Sequence, residues 1–355
     1  MNNNIKKLKP DFDEAAARME AYWQGELLDR PPLFATVAKP DFTFQPGSTY
    51  YDRAVSGDPE TILRNALYNT AGFTYLGESM PSCWMSFGTH EIASLFGSEI
   101  VWTDGSGDTT WAKPLVTDWR EHLPLVFDKN NAIFQRMLTF YEKSAEIFQG
   151  EVLPFPLDFH SNMDLLLSLR GDEQLSYDLY DCPELIDEAM EGARETFRIL
   201  WESITKAGKM EQYGYWFDAY GKKPVCVLAC DYICMISREM LHRWFLPTIE
   251  YEASFIDHVI FHWDGPGALR HFDDIMGIEK IHTIAFVPNP FELHKQYLEV
   301  YKNAQSHGKS VAYCGSPEEI MSVYKELNPA RTLYRVSVSS EDEFYRLEEW
   351  MRRQQ

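Results

Sequence analysis

The sequence predicts an α/β fold, and within that class a (β/α)8 TIM barrel with an N-terminal helical and loop extension. From about residue 125 onward the chain repeats one unit six times, a short apolar strand run followed by a helix pattern. Two earlier apolar runs, 33–37 and 83–87, are candidates for the remaining strands. The length of 355 residues suits a single barrel of this kind.

The first third of the chain is less regular. Residues 13–28 have the spacing of an amphipathic helix, and residues 39–57, rich in Gly, Pro, Tyr and Phe, predict a long packed loop. Asp58, followed by Pro59, begins a helix that runs to about residue 70. Residues 101–119 carry three tryptophans among Asp, Gly and Thr, which favours a β-hairpin insertion. We therefore divide the chain into an extension, residues 1–80, packed on a barrel domain, residues 81–355.

In the regular part, strand runs alternate with helix starts that carry capping residues. The predicted strands are 152–157, 225–229, 259–261, 281–287, 310–313 and 333–338. The predicted helix starts are Asp181 with Glu184, Ser237, Asn289 with Glu292, Ser316 with Glu319, and Ser340 with Glu343. An open doubly wound sheet is the alternative arrangement. No Gly-x-Gly-x-x-Gly follows a strand and no Gly-x-x-x-x-Gly-Lys-Ser/Thr occurs, so nucleotide binding has no support.

Composition excludes several partners. A formal charge of -21 leaves no basic patch for nucleic acid or for an anionic membrane. The six cysteines are irregularly spaced, which is unlike a secreted disulfide framework and predicts reduced thiols. The chain has no signal-peptide pattern and no apolar run of about 18 residues, so we expect a cytoplasmic protein. A homodimer is left open.

Polar and sulfur-bearing side chains recur directly after the predicted strands. In a barrel these positions gather at one mouth. They are His90, Glu91, Asp158, His160, Cys230, Asp231, His262, Asp264, Asn289 and Cys314. The clearest case is His262 with Asp264, which lie two apart at a strand end before a Gly-Pro-Gly turn and so point the same way. For a single member such as Asp158, a turn residue is the simpler interpretation.

Three of these strand-exit residues are predicted to line the substrate pocket: His160, Asp231 and Tyr232. The imidazole and the carboxylate could transfer a proton or orient an acceptor. The alternative is structural, with Asp231 capping a turn and His160 packing on Phe159.

The middle of the chain resembles a known family. Pro154 to Glu184, with its Asp-Leu-Leu-Leu-Ser-Leu-Arg-Gly-Asp-Glu run, is similar to the uroporphyrinogen decarboxylase superfamily, as are Cys230-Asp231 and His262-x-Asp-Gly265. The resemblance covers roughly residues 150 to 340. It implies a (β/α)8 barrel that is either a porphyrinogen decarboxylase or a zinc-dependent methyltransferase acting with a corrinoid protein.

The resemblance also implies a zinc site made of His262, Asp264 and Cys314, with Cys230 as a further ligand. The zinc methyltransferases of the superfamily use one histidine and two cysteines, so Asp264 departs from the pattern by standing where the first cysteine is expected. Cys314 precedes a helix start, which favours a thiolate. In the alternative, Asp264 marks a metal-free branch and Cys314 is a small buried hydrophobe.

The function expected from these features is transfer of a methyl group between a corrinoid carried by a partner protein and a small-molecule thiol or pterin acceptor. A decarboxylase or lyase acting on a small carboxylate is the alternative, and a non-catalytic binding barrel is a third. Uroporphyrinogen decarboxylase itself is not expected. Its octacarboxylate substrate needs clustered arginines, whereas the N-terminal region offers only Arg18, Arg30 and Arg53, widely spaced.

Overall fold

The structure is a computed structural model that describes residues 4–102 and 109–354. Within these ranges the strands are β1 (Leu33–Ala38), β2 (Phe73–Gly77), β3 (Ser82–Cys83), β4 (Ile100–Trp102), β5 (Thr110–Ala112), β6 (Leu153–Pro154), β7 (Tyr215–Trp216), β8 (Tyr220–Gly221), β9 (Val225–Ala229), β10 (His258–Asp264), β11 (Ile281–Val287), β12 (Ser310–Gly315) and β13 (Thr332–Val336). The α-helices are α1 (Phe12–Trp23), α2 (Pro59–Thr70), α3 (Ala132–Phe148), α4 (Met163–Arg170), α5 (Asp172–Asp181), α6 (Pro183–Ala207), α7 (Met210–Tyr213), α8 (Arg238–Met240), α9 (Leu246–Ala253), α10 (Phe272–Met276), α11 (Leu298–Ser306), α12 (Pro317–Val323) and α13 (Glu341–Arg352).

The central sheet has the strand order β2-β1-β13-β12-β11-β10-β9, and all its neighbours are parallel except β1 and β2. The α/β class is therefore confirmed, with a mostly parallel sheet of barrel-like order. A second parallel pair, β3 with β6, is linked to β9 by a bridge between Phe159 and Leu228. Eight parallel strands thus follow one another around the molecule in chain order.

The described strands do not close into a continuous hydrogen-bonded ring, since β3 and β6 form a sheet of their own that the single Phe159–Leu228 bridge links to β9. Among the described residues no ladder joins β1 to β3. The reason is that β2 pairs antiparallel with β1 over five residue pairs, from Phe34 with Gly77 to Ala38 with Phe73, and so occupies that edge. The fold is similar to a TIM barrel, but the expected full closure is not found.

The predicted strand bounds are confirmed in full for two runs. The runs 225–229 and 281–287 coincide with β9 and β11. The predicted strand 152–157 shrinks to two residues because Pro154 and Pro156 have no N–H to donate to a ladder. Of the predicted strand 83–87, only Cys83 lies in β3.

Three of the five predicted helix caps are confirmed. Ser316 and Glu319 form a reciprocal capping box, while Ser237 and Ser340 each accept a bond from the third residue of their helix. The other two are wrong. Asp181 is the last residue of α5, so α6 starts after Cys182 without a side-chain cap, and Asn289 precedes a turn, with the helical segment beginning only at His294.

The N-terminal residues are part of the barrel as well as its cover. Both β1 and β2 precede residue 80 yet lie in the central sheet, while the division between an extension and a barrel at that residue stays a prediction.

The hairpin expected within 101–119 is present as the antiparallel pair β4 and β5, and residues 103–108 lie outside the described residues. In the described part of the chain, no helix has the length and apolar character needed to cross a membrane.

A buried ion pair ties the first strands to the last helix. Arg30 and Glu78 are both fully buried and lie 2.7 Å apart, and the Leu33 N–H donates to the same carboxylate at 2.6 Å. Arg30 also contacts Glu348 of α13 at 2.8 Å, and Arg18 contacts Glu78 at 3.3 Å. Two of the arginines of the N-terminal region therefore serve this structural network.

Replacement of Glu78 by alanine should lower the free energy of unfolding by about 3 kcal/mol, because it removes the buried partner of Arg30 and the acceptor of the Leu33 N–H. Urea denaturation would measure the loss. The matched control is Glu299→Ala, which removes the exposed Lys302 pair and should have little effect. Equal effects of the two substitutions would contradict the role assigned to the buried pair.

Candidate active site

The structure brings three ionisable side chains together at the carboxyl ends of adjacent strands. His160 directly follows the bridge residue Phe159, and Asp231 follows β9 after Cys230. The third member is Asp164, in the first turn of α4. Each of His160, Asp164 and Asp231 offers one atom within 4.8 Å of the others. We call these three residues the His–Asp cluster.

Asp164 organises the cluster by accepting from four donors. Its Oδ2 accepts from His160 Nδ1 at 2.9 Å and from the Asp231 N–H at 3.0 Å. Its Oδ1 accepts from the Tyr232 N–H at 3.0 Å and from the Cys230 thiol at 3.5 Å. Because Asp164 is only 4% exposed, these bonds replace the water that a carboxylate otherwise requires.

The start of α4 places Asp164 against β9. Asn162 caps the helix by accepting from the Asp164 N–H, and its amide donates to the Ala229 carbonyl at 2.8 Å. Asp164 is not among the site residues predicted from the sequence. A usable signal was present, since His160 and Asp164 lie four residues apart across a helix start marked by Asn162.

The charges in the cluster are strongly coupled. Burial alone lowers the pKa of His160, but contacts with Asp158 and Asp164 outweigh it and hold that pKa well above the usual value. Burial likewise opposes ionisation of Asp164, yet His160 and the N–H donors keep the pKa of Asp164 below its usual value. Burial and the charge of Asp164 raise the pKa of Asp231 to about 6. His160 is therefore a cation at neutral pH, beside an acid that titrates just below neutrality.

Two buried glutamates flank the His–Asp cluster. Glu252 of α9 accepts from the Ser161 hydroxyl at 2.8 Å, and burial raises the pKa of Glu252 to about 8. Glu91 accepts from the Phe87 N–H, and burial raises the pKa of Glu91 well above its usual value. Within the described residues, the second carboxyl oxygen of each has no bonding partner. Glu252 is therefore mostly uncharged at neutral pH, and burial opposes the charge of Glu91.

His262 and Asp264 lie on the interior face of the barrel, near the cluster. The alternate residues of β10 face outward, because Phe261 packs on Phe245 and Trp263 packs on Phe272 of the surrounding helices. The charges of His262 and Asp264 both act on Asp231, which places this strand end in the same electrostatic environment.

Burial disfavours the thiolate forms of Cys314 and Cys230 in the metal-free protein. It raises the pKa of the Cys314 thiol, against the effect expected from the nearby start of α12. Burial and the charge of Asp164 raise the pKa of the Cys230 thiol well above its usual value. Strand β11 lies between β10 and β12, so two strand spacings of about 4.8 Å separate Asp264 from Cys314.

The zinc site predicted from the sequence therefore stays a prediction. Over the described residues, His262, Asp264 and Cys314 do not form a group close enough to share an ion, and the His–Asp cluster does. Of the predicted pocket residues, His160 and Asp231 lie together. Tyr232 contributes its N–H, while its hydroxyl bonds to Ser176 of α5 at 2.8 Å, away from the cluster.

Comparison with known proteins gives a likeness of fold alone. No protein-family model matches the sequence, and no curated protein matches it significantly. The structure is similar to that of a solved methyltransferase from Methanosarcina mazei, with a TM-score of 0.61 and 14% sequence identity. The likeness covers 96% of this chain and 98% of the other, so it extends over the whole fold. The resemblance to the uroporphyrinogen decarboxylase superfamily stays a prediction.

Asp164→Asn should lower the pKa of His160 toward the usual value of about 6.5 and destabilise the protein at neutral pH by about 3 kcal/mol. The stabilisation from His160 is complete below its unfolded pKa of about 6.5 and is lost as pH rises through its raised folded pKa. That from Asp164 is complete above its unfolded pKa of about 3.9 and is lost as pH falls through its lowered folded pKa.

Imidazole NMR titration and urea denaturation at several pH values would measure both effects. Glu173→Gln is the control, because Glu173 is an exposed carboxylate in the first turn of α5 and is not one of the groups that raise the pKa of His160. An unchanged His160 titration in Asp164→Asn would contradict the assigned coupling.

Proposed function

We propose that this protein is a methyltransferase whose reaction centre is the His–Asp cluster at the barrel mouth. The observation that carries the proposal is the likeness, over nearly the whole chain, to a solved methyltransferase. The cluster supports it, since enzymes built on α/β barrels place their chemistry at the carboxyl ends of the strands. The methyl donor is a corrinoid carried by a partner protein, and the acceptor is a small-molecule thiol or pterin.

The donor atoms of the cluster fit a divalent metal such as zinc. One imidazole nitrogen and carboxylate oxygens are ordinary zinc ligands, and all three side chains can face one point. Binding requires His160 to lose its proton and Asp164 to exchange one of its four donors for the ion. When bound, the ion supplies Lewis acidity that makes a coordinated acceptor easier to deprotonate.

The protein's own groups would manage the acceptor proton. If one carboxylate oxygen of Asp231 holds the ion, its other oxygen could take a proton from an acceptor held at the mouth. Asp164 holds His160 in one orientation through Nδ1, leaving Nε2 as the nitrogen available to a ligand. Glu252, which is mostly protonated at neutral pH, adds little negative charge beside the acceptor.

A decarboxylase or lyase is the second candidate, and the protonated state of His160 favours it. A cation at the mouth can hold a substrate carboxylate, and a protonated group beside it can donate to the carbanion formed when carbon dioxide leaves. This reaction needs no metal. Metal content of the purified protein therefore separates the two candidates.

We expect the purified protein to bind about one zinc ion per chain, and His160→Ala and Asp231→Asn to weaken that binding by at least about tenfold. Methyl transfer from a methylated corrinoid to a thiol should fall by about 100-fold or more in Asp231→Asn. Elemental analysis and a methyl-transfer assay are the measurements.

His262→Ala and Cys314→Ala are the matched variants, because they remove ligands of the alternative site predicted from the sequence. If these two variants lose zinc and His160→Ala retains it, the zinc site is the one predicted from the sequence and not the His–Asp cluster. A wild-type protein without zinc and without methyl transfer would refute the methyltransferase proposal and leave the lyase.

A further inference from the structure

Arg335 presents a positive charge to the interior of the barrel. It lies near the carboxyl end of β13, in register with Cys314 on β12. The preceding residue, Tyr334, packs outward on the ring of Tyr324 at 6.0 Å and beside Tyr313 at 6.1 Å. Since side chains alternate along a strand, Arg335 and Cys314 face inward.

Only part of the Arg335 guanidinium is used by the protein. Its Nη2 donates to the Asp218 carbonyl at 2.9 Å and lies 3.2 Å from the Asp218 carboxylate. In the described chain, no hydrogen bond engages Nε or Nη1 of Arg335. The side chain is 31% exposed although it faces inward, so solvent reaches it within the barrel.

Asp218, the partner of Arg335, is positioned by a tight turn. It lies in the β7–β8 turn, with a φ of 64°, a left-handed conformation that aspartate tolerates better than most residues. The Asp218 contact therefore orients the guanidinium and leaves free donors on its other edge. The neighbouring Cys314 adds no charge, because burial raises the pKa of its thiol.

Arg335 lies on a different part of the sheet from the His–Asp cluster. Three strands, β10, β11 and β12, lie between β9 and β13. Phe34 of β1 is in register with Arg335, and Trp216 of the β7–β8 hairpin packs on Phe34 at 6.2 Å. A ligand held at Arg335 would therefore contact the apolar side chains of this hairpin.

We propose that Arg335 is a substrate-binding residue that recognises the carboxylate, or a similar compact anionic group, of a small organic substrate. A guanidinium fork matches a planar carboxylate with two parallel hydrogen bonds. This inference adds the chemical class of the small-molecule substrate to the methyltransferase function proposed above. Binding of the anion to Arg335 does not depend on that function, but the reaction of the bound ligand does.

The test is binding of propionate, with neutral propionamide as the matched probe, to the purified protein by calorimetry without any methyl donor. Propionate should bind with a Kd of about 1–10 mM, and propionamide at least about tenfold more weakly. Arg335→Gln should weaken propionate binding by at least about tenfold, the size of one charge-assisted hydrogen bond. Arg335→Lys should retain part of the affinity, because the charge remains and the fork is lost.

Asp218→Asn separates binding from a structural role. It removes the carboxylate that competes with the ligand but keeps the backbone contact to Arg335, so propionate should bind as tightly as in the wild type or more tightly. If Asp218→Asn and Arg335→Gln weaken propionate binding to the same extent, the Asp218–Arg335 salt bridge has only a structural role and the inference is wrong.

Equal binding of propionate to wild type and Arg335→Gln, or none to wild type, would also overturn the inference. If Arg335→Gln does not fold, Arg335→Lys and Asp218→Asn still give opposite predicted changes. Binding that depends on Arg335 in a protein without methyl transfer would refute the proposed function and leave this inference standing.

Discussion

The carboxylate of Asp164 is the group on which the candidate site depends. A buried carboxylate is costly unless donors surround it, and here the donors come from His160 and from the chain leaving β9. Satisfying Asp164 therefore fixes both the imidazole orientation and the path of the backbone after the strand. The same interaction holds His160 protonated and raises the pKa of Asp231. The interactions of Asp164 therefore determine both the geometry and the electrostatics of the site.

The fold was predictable where a signal is local. Continuous apolar runs gave β9 and β11 with their observed bounds, and Ser316 marked its helix start. The gap between β1 and β3 was not predictable, because it results from the antiparallel pairing of β2 with β1. The hydrophobic periodicity of a segment indicates a strand or a helix, but it does not specify which strand will be its partner. Long-range pairing decides closure.

The site was predictable to the same degree. Strand exits identified His160 and Asp231, because barrel topology gathers such positions whatever their sequence separation. Asp164 was missed since a first-turn aspartate looks like an ordinary helix-start acid. The thiolate at Cys314 stays a prediction, and the structure adds burial, which raises the thiol pKa and which the local sequence does not report.

The acidity of the chain has a kinetic consequence for an anionic ligand. The net charge is -21, and Asp264 is exposed at the barrel mouth, so the electrostatic field outside the barrel repels anions. At physiological ionic strength this repulsion is screened beyond about 8 Å, whereas an ion pair formed inside at Arg335 is screened much less. Added salt should therefore quicken the approach of such a ligand, the reverse of the dependence found when charge steers a ligand in.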